Sequence, residues 1–313
     1  MTDYRYLVHG VFWDGPPPLS VNHDGGRPVL RLQQLSGGFR ELDLGAGARL
    51  GFRSAAEGKY CLGHHKVFSP TERDHVLCPD TSPAVKGSQC ERCFVRDDSR
   101  LIHDFHRGGR VPPGLRSYLM QPHWLYVATF ASGSSKVGTA SHLRKWNRLA
   151  EQGAVVARYV AAADDGRVVR VLEDMVTRET GLAQQIRSAA KAASFTGPLP
   201  GAELDRLNQR LAGEVRETLA QAAVEGFETV DEQWVRPAQA ADLCRPELRH
   251  AYRLGLSGGA HGFALGSLCG SYGLAMLAGS ELCFVVNLGL LKARLIQLGD
   301  FTSEIPGVQE ALF

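Results

Sequence analysis

Residues 124–181 carry the clearest structural pattern in the chain, and they read WLYVATFASGSSKVGTASHLRKWNRLAEQGAVVARYVAAADDGRVVRVLEDMVTRETG. An apolar, β-branched run at 124–130, a turn at 131–135 and a second run from Lys136 predict a β-hairpin. From His142 the apolar residues recur at helical spacing, and Gly153 is placed to end that helix. A third strand at 155–161 and a second helix that ends near Gly181 complete the predicted order β-β-α-β-α.

The flanking sequence predicts a mixed α+β protein around this core. Glycine-rich runs of β-forming residues at 4–52 and after Pro246 predict an antiparallel β unit built from both chain ends. An apolar stripe from Leu204 to Leu219 predicts a helix between them. The sequence therefore divides into five parts. They are an N-terminal β unit that pairs with the C-terminal strands (1–60), a cysteine-bearing module (61–115), the β-β-α-β-α core (116–197), a helical segment (198–250) and a C-terminal β unit (251–313).

Composition and charge narrow the class of protein. The 313 residues are 44% hydrophobic and carry a formal net charge of +2, which argues against wholesale disorder and against a generally basic coat for nucleic acid. The residues after Met1 do not form the basic segment followed by an apolar segment that is typical of a secretory signal peptide. The apolar stretch at 274–291 is interrupted by Glu281 and Asn287, so it predicts paired strands and not a membrane span. We therefore expect a cytoplasmic protein with no membrane partner.

Four of the seven cysteines fall within 33 residues, in the spacing Cys61-x16-Cys78-x11-Cys90-x2-Cys93. A two-residue gap aims two thiolates at one ion, and four sulfurs about 2.3 Å from it complete a tetrahedral shell. The pattern thus predicts a closed, structural zinc site. Four free thiols or an iron–sulfur cluster are the alternatives, although the spacing matches no ferredoxin run. His64, His65 and His75 are candidate replacements for Cys61.

Three short features of the core match a known pattern. Trp124-Leu125-Tyr126 lies on the first predicted strand, Lys136-Val137-Gly138 on the second, and Arg148 on the first helix. With the order β-β-α-β-α, they resemble the core of the GIY-YIG nucleases, in which a glutamate is expected on the second helix, where Glu173 lies. The chain departs from that pattern at Trp124, which stands in place of a glycine, and at Lys136, which stands in place of a second tyrosine.

A second set of residues extends over the wider chain. It comprises Cys78-Pro79, QCERC at 89–93, KVG at 136–138 and RLAEQGA at 148–154. Over about residues 60–290 this set resembles an uncharacterised bacterial family, the "domain of unknown function 2797" proteins. That resemblance implies an architecture more than an activity.

The GIY-YIG resemblance implies roles in phosphodiester hydrolysis. Tyr126 would orient or deprotonate the attacking water, Arg148 would bind the scissile phosphate bidentately, and Glu173 would hold Mg²⁺. Lys136, in place of the second tyrosine, is the fourth candidate catalytic residue. Three plainer interpretations remain open. In these, Tyr126 is a strand aromatic packed under the sheet, Arg148 pairs with Glu151 on a solvated helix face, and Glu173 is a surface carboxylate.

The same part of the chain carries a local basic patch. Residues 131–160 hold five basic side chains against one acid, Glu151, and the candidate nucleic-acid-binding residues are Arg144, Lys145 and Arg148. One helical turn separates Arg144 from Arg148, so both would share a helix face.

Together these patterns predict a zinc-containing nucleic-acid-binding protein whose core is a candidate Mg²⁺-dependent phosphodiesterase or endonuclease of GIY-YIG type. Two alternatives stay open. One is an enzyme on the same core that acts on a small molecule, with Lys136 as nucleophile or anion anchor. The other is a non-catalytic regulatory or interaction protein. Catalysis requires Tyr126, Lys136, Arg148 and Glu173 to converge in one cleft.

Overall fold

The computed structural model of the chain describes residues 5–14 and 26–305. Over these residues it is a mixed α+β structure with three sheets. The strands are β1 (Arg5–Asp14), β2 (Arg27–Gln34), β3 (Phe39–Asp43), β4 (Arg49–Ser54), β5 (His64–Val67), β6 (Arg73–Val76), β7 (His123–Thr129), β8 (Ser135–Ser141), β9 (Val156–Ala163), β10 (Phe227–Gln233), β11 (His250–Ala251), β12 (Ala260–Cys269), β13 (Tyr272–Met276), β14 (Cys283–Asn287) and β15 (Leu295–Leu298).

The helices lie mainly between the cysteine-bearing module and the closing strands. The α-helices are α1 (Glu91–Arg96), α2 (Pro113–Leu119), α3 (Lys145–Gln152), α4 (Gly166–Thr180), α5 (Ser188–Ser194) and α6 (Gly201–Ala220). Short 3-10 helices occupy Asp98–Arg107, His142–Arg144, Ala238–Ala240 and Leu288–Leu291. Among the described residues, no helix has the length and apolar character needed to cross a membrane.

The largest sheet combines strands from both ends of the chain. Its nine strands run in the order β11-β14-β13-β12-β4-β15-β1-β2-β3, so β15 lies between two strands of the N-terminal part. Neighbours are antiparallel except for the short pair β11 and β14. The apolar stretch at 274–291 contributes to the antiparallel pair β13–β14, which confirms the prediction of paired strands.

The predicted β-β-α-β-α order appears as β7, β8, α3, β9 and α4. The sheet is antiparallel with the order β10-β9-β7-β8, so β7 lies between β8 and β9. Gly153 and Gly181 follow α3 and α4 with φ angles of 71° and 74°. These left-handed conformations, which glycine adopts without penalty, end both helices where the sequence predicts.

One part of the helical segment is corrected by the structure. Residues 198–250 contain helix α6, as predicted, but also β10, which extends the sheet of the core. The sequence FETVDEQ gives no clear apolar alternation because β10 is an edge strand whose side chains are mostly exposed. An edge strand of this kind needs few apolar residues, so periodicity does not reveal it.

The two faces of the four-stranded sheet belong to different cores. Leu125 and Val127 pack with the buried side chains of α4 and α6. Tyr126 and Ala128 alternate with them and join a core shared with α3 and the nine-stranded sheet. Each fully buried Leu or Val side chain stabilises the fold by about 1.5–3 kcal/mol, so the alternation strongly fixes which face Tyr126 occupies.

Candidate metal centre and candidate active site

The four clustered cysteines meet beside a small β-hairpin. Cys61 precedes β5, Cys78 follows β6, and Cys90 and Cys93 bracket the start of α1. All four sulfur atoms lie within 4.8 Å of one another. A metal ion about 2.3 Å from each sulfur of a tetrahedral shell would place the sulfurs about 3.8 Å apart, so the donor set fits a thiolate-bound ion.

Main-chain N–H groups oppose the effect of burial at two of the four thiols, although burial still leaves the pKa values of Cys61 and Cys93 raised. Gly63 N–H donates to Cys61 Sγ at 3.3 Å. Burial alone would raise the pKa of Cys78, but the N–H groups of Ser82 and Asp80 bring it down to about 7. Gly63 is required at its position, because it has a φ of +91° and a Cβ there would lie 2.0 Å from the Val76 carbonyl oxygen.

Gln89, in the QCERC motif, connects the cysteine-bearing loops. Its Nε2 donates to the carbonyl oxygen of Gly63 at 2.9 Å and to the carboxylate of Asp97 at 2.7 Å. It thereby links the loop after Cys61 to the residue that follows α1. The side chain therefore positions the loops that carry the cysteines, much as outer-shell partners orient ligands at metal sites.

The sulfur of Cys61 is itself in the cluster, so no histidine is needed in its place. Among the described residues, the buried Nδ1 of His64 has no hydrogen-bond partner, whereas His65 and His75 have other contacts. His65 stacks on His75 with ring centroids 4.5 Å apart, and His75 contacts His9 of β1 at 4.9 Å. His75 Nε2 also bonds to the Leu62 carbonyl oxygen. His65 and His75 therefore help to pack the β5–β6 hairpin against the nine-stranded sheet.

In the core, Tyr126 is completely buried opposite Gly138 on the neighbouring strand. A Cβ atom at Gly138 would lie 2.5 Å from the Tyr126 hydroxyl, so only glycine leaves room for that ring. The hydroxyl accepts a hydrogen bond from Gln152 Nε2 at 2.7 Å. Burial raises the pKa of Tyr126 above its usual value, which keeps the phenol neutral.

Glu173 is buried on α4, so its interpretation as a surface carboxylate is wrong. Burial raises the pKa of its carboxyl group, although the adjacent Arg170 opposes that shift. Arg170 Nη1 donates a hydrogen bond to Glu173 Oε2, and the two residues form an ion pair between adjacent turns of α4. The carboxylate of the candidate site thus already has a cationic partner.

Lys136 on β8 points to the same face of the sheet as Tyr126. Its Nζ lies 5.7 Å from the centroid of the Tyr126 ring and donates to the carbonyl oxygen of Gln184 at 3.1 Å. The side chain is 7% exposed. Burial, reinforced by the nearby positive charge of Arg148, lowers the pKa of Lys136 to about 8.

Arg148 is the exposed member of the group. The expected alternative pairing with Glu151 is not formed, because Arg144 makes that salt bridge instead. Within residues 5–14 and 26–305, Arg148 has no salt bridge to a carboxylate. Its positive charge acts on both Tyr126 and Lys136.

The other two predicted nucleic-acid-binding residues are engaged within the protein. Arg144 lies in the 3-10 turn before α3 and pairs with Glu151. Lys145 pairs with Glu232 of β10, and its Nζ lies 3.2 Å from the centroid of the Trp124 ring. The basic patch that the local sequence predicts is therefore largely neutralised.

Electrostatic interactions link the four candidate catalytic residues. Arg148 and Glu173 both act electrostatically on Tyr126 and on Lys136, although the four side chains come from α3, α4, β7 and β8. A surface groove between the C-terminal halves of α4 and α6 lies elsewhere and includes none of them. Glu151 also feels the charge of Arg73 on β6, so the hairpin of the metal centre lies near α3.

Comparison with known proteins assigns the chain to a family. The family described as "Protein of unknown function (DUF2797)" matches residues 78–235, which is half of the chain. The chain belongs to this family. No curated protein and no solved structure matches it. The DUF2797 match contains Cys78, Cys90, Cys93 and all strands and helices of the core, whereas Cys61 lies outside it.

Two residues of the cluster are absent from the sequence-based predictions. Gln152 lies four residues after Arg148 in RLAEQGA, so helical spacing could have revealed it. Lys191 lies on α5 in the small-residue run SAAKAAS, where no motif marks it. It is 8% exposed, and its Nζ donates to the Gln152 carbonyl oxygen at 3.0 Å.

Proposed function

We propose that this chain binds a nucleic-acid backbone at Arg148 and hydrolyses a phosphodiester bond beside Tyr126 and Glu173. The observation that best supports the proposal is the exposed Arg148, without a carboxylate partner in the described part of the chain, next to the buried cluster of Tyr126, Lys136 and Glu173. A guanidinium in that state is suited to bidentate binding of a phosphate. The resemblance of the core to GIY-YIG nucleases supports the same chemistry.

Each residue of the cluster has a role that fits its environment. Tyr126 is neutral, so it orients the attacking water and does not deprotonate it. Glu173, whose pKa is raised, accepts the water proton while the water oxygen forms the new P–O bond. The bond to the leaving oxygen breaks with its electron pair on that oxygen, which takes a proton from solvent. Arg148 and Lys136 stabilise the charge that develops on the phosphate.

The donor set fits Mg²⁺ poorly, although the resemblance implies this ion. Glu173 is the carboxylate that acts on Lys136 among the described residues, and Arg170 is already bound to it. Mg²⁺ is usually held by one or two carboxylates together with substrate phosphate, so it would have to displace Arg170. We therefore assign no step of the reaction to Mg²⁺. Cleavage should be assayed both with Mg²⁺ and with a chelator.

We further propose zinc as the ion at the four cysteines. Four sulfur ligands leave no open position for substrate or water, so its role is structural. The zinc would hold the β5–β6 hairpin and α1 in place. That arrangement keeps Arg73 near α3 without giving the metal a part in the reaction.

Binding can be tested by fluorescence anisotropy with single-stranded DNA, single-stranded RNA and duplex DNA over a salt series. The variant Arg148→Ala should weaken binding by about 10–100-fold, since a hydrogen bond to a charged group contributes about 1.5–3 kcal/mol. It should also reduce the salt slope by about 1. The control Arg210→Ala removes an equally charged helical arginine that pairs with Glu214 on α6, and it should have little effect.

Cleavage of the same oligonucleotides, followed on gels, tests the second half of the proposal. Glu173→Gln should abolish cleavage while it leaves binding within a few-fold of the unsubstituted protein. Absence of salt-sensitive binding to all three nucleic acids would refute the proposed function. Binding without cleavage, unchanged in Glu173→Gln, would reduce it to a binding protein.

A second candidate function is supported by the state of Lys136. A buried lysine whose pKa is lowered to about 8 has more of its amine in the neutral, nucleophilic form at pH 7 than an ordinary lysine, which favours an enzyme acting on a small molecule. Lys136→Arg separates the two functions. An anion-binding role tolerates the arginine in part, because the charge is kept, whereas a nucleophilic role does not tolerate it.

A further inference from the structure

Lys191 brings a second buried ammonium group to the candidate site. Its Nζ lies 3.9 Å from the centroid of the Phe130 ring and donates to the main chain at Gln152, the last residue of α3. The charged neighbours that act on it are Lys136 and Arg148, which are both cationic, together with the Cys269 thiol. In the described ranges it has no salt bridge to a carboxylate.

The cluster therefore carries more positive than negative charge. Among the described residues, its cations are Lys136, Arg148, Arg170 and Lys191, and its carboxylates are Glu173 and the adjacent Asp174. Glu151, also close to Arg148, is already paired with Arg144. Like charges that are buried close together repel each other strongly. An ammonium group has three hydrogen-bond donors, and among the described residues each lysine donates one hydrogen bond to a main-chain carbonyl oxygen.

We propose that Lys136 and Lys191 form an anion subsite beside Arg148 that binds a terminal phosphate group. This inference rests on the proposed function, since it specifies which part of a nucleic acid the site takes. Both lysines are less than a tenth exposed, so a group attached at a single point reaches them more readily than a backbone that continues in two directions. A phosphate monoester has one covalent attachment and carries a charge of about −1.5 to −2 at neutral pH, which matches two ammonium groups.

Contacts with Tyr126 and Gln152 place the two lysines on the same group of side chains: Lys136 Nζ lies 5.7 Å from the centroid of the Tyr126 ring, and Gln152, which donates to the Tyr126 hydroxyl, accepts from Lys191 at its carbonyl oxygen. Burial and the charges of Lys136 and Arg148 lower the pKa of Lys191 to about 7, and burial and Arg148 lower that of Lys136 to about 8. The remaining facing groups are Glu173 and Arg170 on α4 and Cys269 on β12, whose thiol pKa is raised well above its usual value by its contact with Cys244. A bound dianion would raise both lysine pKa values, so its binding should take up protons from solution.

Inorganic phosphate is the probe for this subsite. Calorimetric titration at pH 8.5, where phosphate is already a dianion, in buffers of different ionisation enthalpy should show uptake of about one to two protons. Lys191→Met and Lys136→Met should each weaken phosphate binding at least tenfold. The exposed Lys59→Met is the control and should bind normally. Lys191→Arg keeps the charge, so it should bind phosphate with about one proton less taken up.

A structural role of Lys191 predicts a different pattern. If Lys191 only caps α3, Lys191→Met should change thermal stability and leave the proton count and phosphate affinity of the folded protein unchanged, and this result would overturn the proposal. Undetectable phosphate binding by the unsubstituted protein would also overturn it. Neither outcome bears on whether Arg148 binds a nucleic-acid backbone, which the salt series measures separately.

Two sources of a phosphate monoester can be distinguished in the same experiments. An oligonucleotide with a 5′-phosphate or a 3′-phosphate should bind at least tenfold more tightly than its hydroxyl-ended counterpart, and Lys191→Met should abolish the difference. If phosphate binds but neither terminal phosphate improves oligonucleotide binding, the ligand is a small phosphorylated molecule. That outcome would keep the subsite and refute its connection with nucleic acid.

Discussion

The contact between Tyr126 and Gly138 gives the sharpest test of the core. Gly138→Ala would place a Cβ atom 2.5 Å from the Tyr126 hydroxyl, 2.7 Å from Cζ and 2.9 Å from Cε2. Tyr126 is completely buried, so its ring cannot move aside without disturbing the core around it. Because Gly138 does not have a positive φ angle, the substitution probes the contact and not the backbone conformation.

The expected cost follows from two contributions. Overpacking of a buried contact costs about 1–3 kcal/mol. Displacement of the ring would also break the hydrogen bond from Gln152 to the hydroxyl, which is worth about 1 kcal/mol. The free energy of unfolding should therefore fall by about 2–4 kcal/mol. Tyr126→Phe in the same chain removes the closest atom and should recover about 1–2 kcal/mol of that loss.

Denaturant unfolding of the single and double variants measures this double-mutant cycle. The control Gly213→Ala lies within α6, where a Cβ would meet no atom within 4 Å, and it should stabilise the protein by up to about 1 kcal/mol. The reasoning is refuted if Gly138→Ala is neutral, or if Tyr126→Phe and Gly138→Ala are additive. Additivity would mean that the hydroxyl is not the atom that excludes a side chain.

Two further predictions concern the metal centre and the buried lysine. Cys90→Ser should remove bound zinc from the purified protein, measured as moles of metal per mole of chain. The control Cys283→Ser, outside the cluster, should retain one equivalent. Retention of zinc by both variants would contradict a four-cysteine site. The pKa of Lys191 falls from 10.5 to about 7 on folding, so between these pH values the native chain binds fewer protons than the unfolded chain. The free energy of unfolding should therefore rise with pH from about 7 to about 10. The rise should be smaller in Lys191→Met, and an identical pH profile would show that Lys191 is charged in the native state.

Local patterns in the sequence were sufficient for the core and for the cysteine cluster. The strands and helices at 124–181 follow the predicted order because each is specified by its own periodicity and by glycines that end its helices. The cysteines could be grouped for the same reason, since Cys90 and Cys93 lie on one short turn. Cys61, the most distant, still joins them because β5 and β6 form a hairpin that folds the chain back on itself.

The charge balance of the site could not be predicted from local sequence. The count of five bases against one acid in residues 131–160 ignored Glu232 of β10, which lies 87 residues from Lys145 in the chain and pairs with it. It also missed Lys191, which reaches the end of α3 from a separate helix. Burial and long-range pairing decide which charges remain available, and neither can be derived from composition.

The sign of the stability change on removing Lys191 separates a scaffold residue from a site residue. If the ammonium group only capped α3 and packed on Phe130, its loss should destabilise the fold by the value of a cap and a cation–π contact, about 1–2 kcal/mol. If instead Lys191 lies beside Lys136 and Arg148 in order to bind an anion, repulsion among these positive charges destabilises the ligand-free protein. Methionine of similar length should then stabilise the protein at pH 7 while it abolishes phosphate binding, as expected where function is retained at the expense of stability.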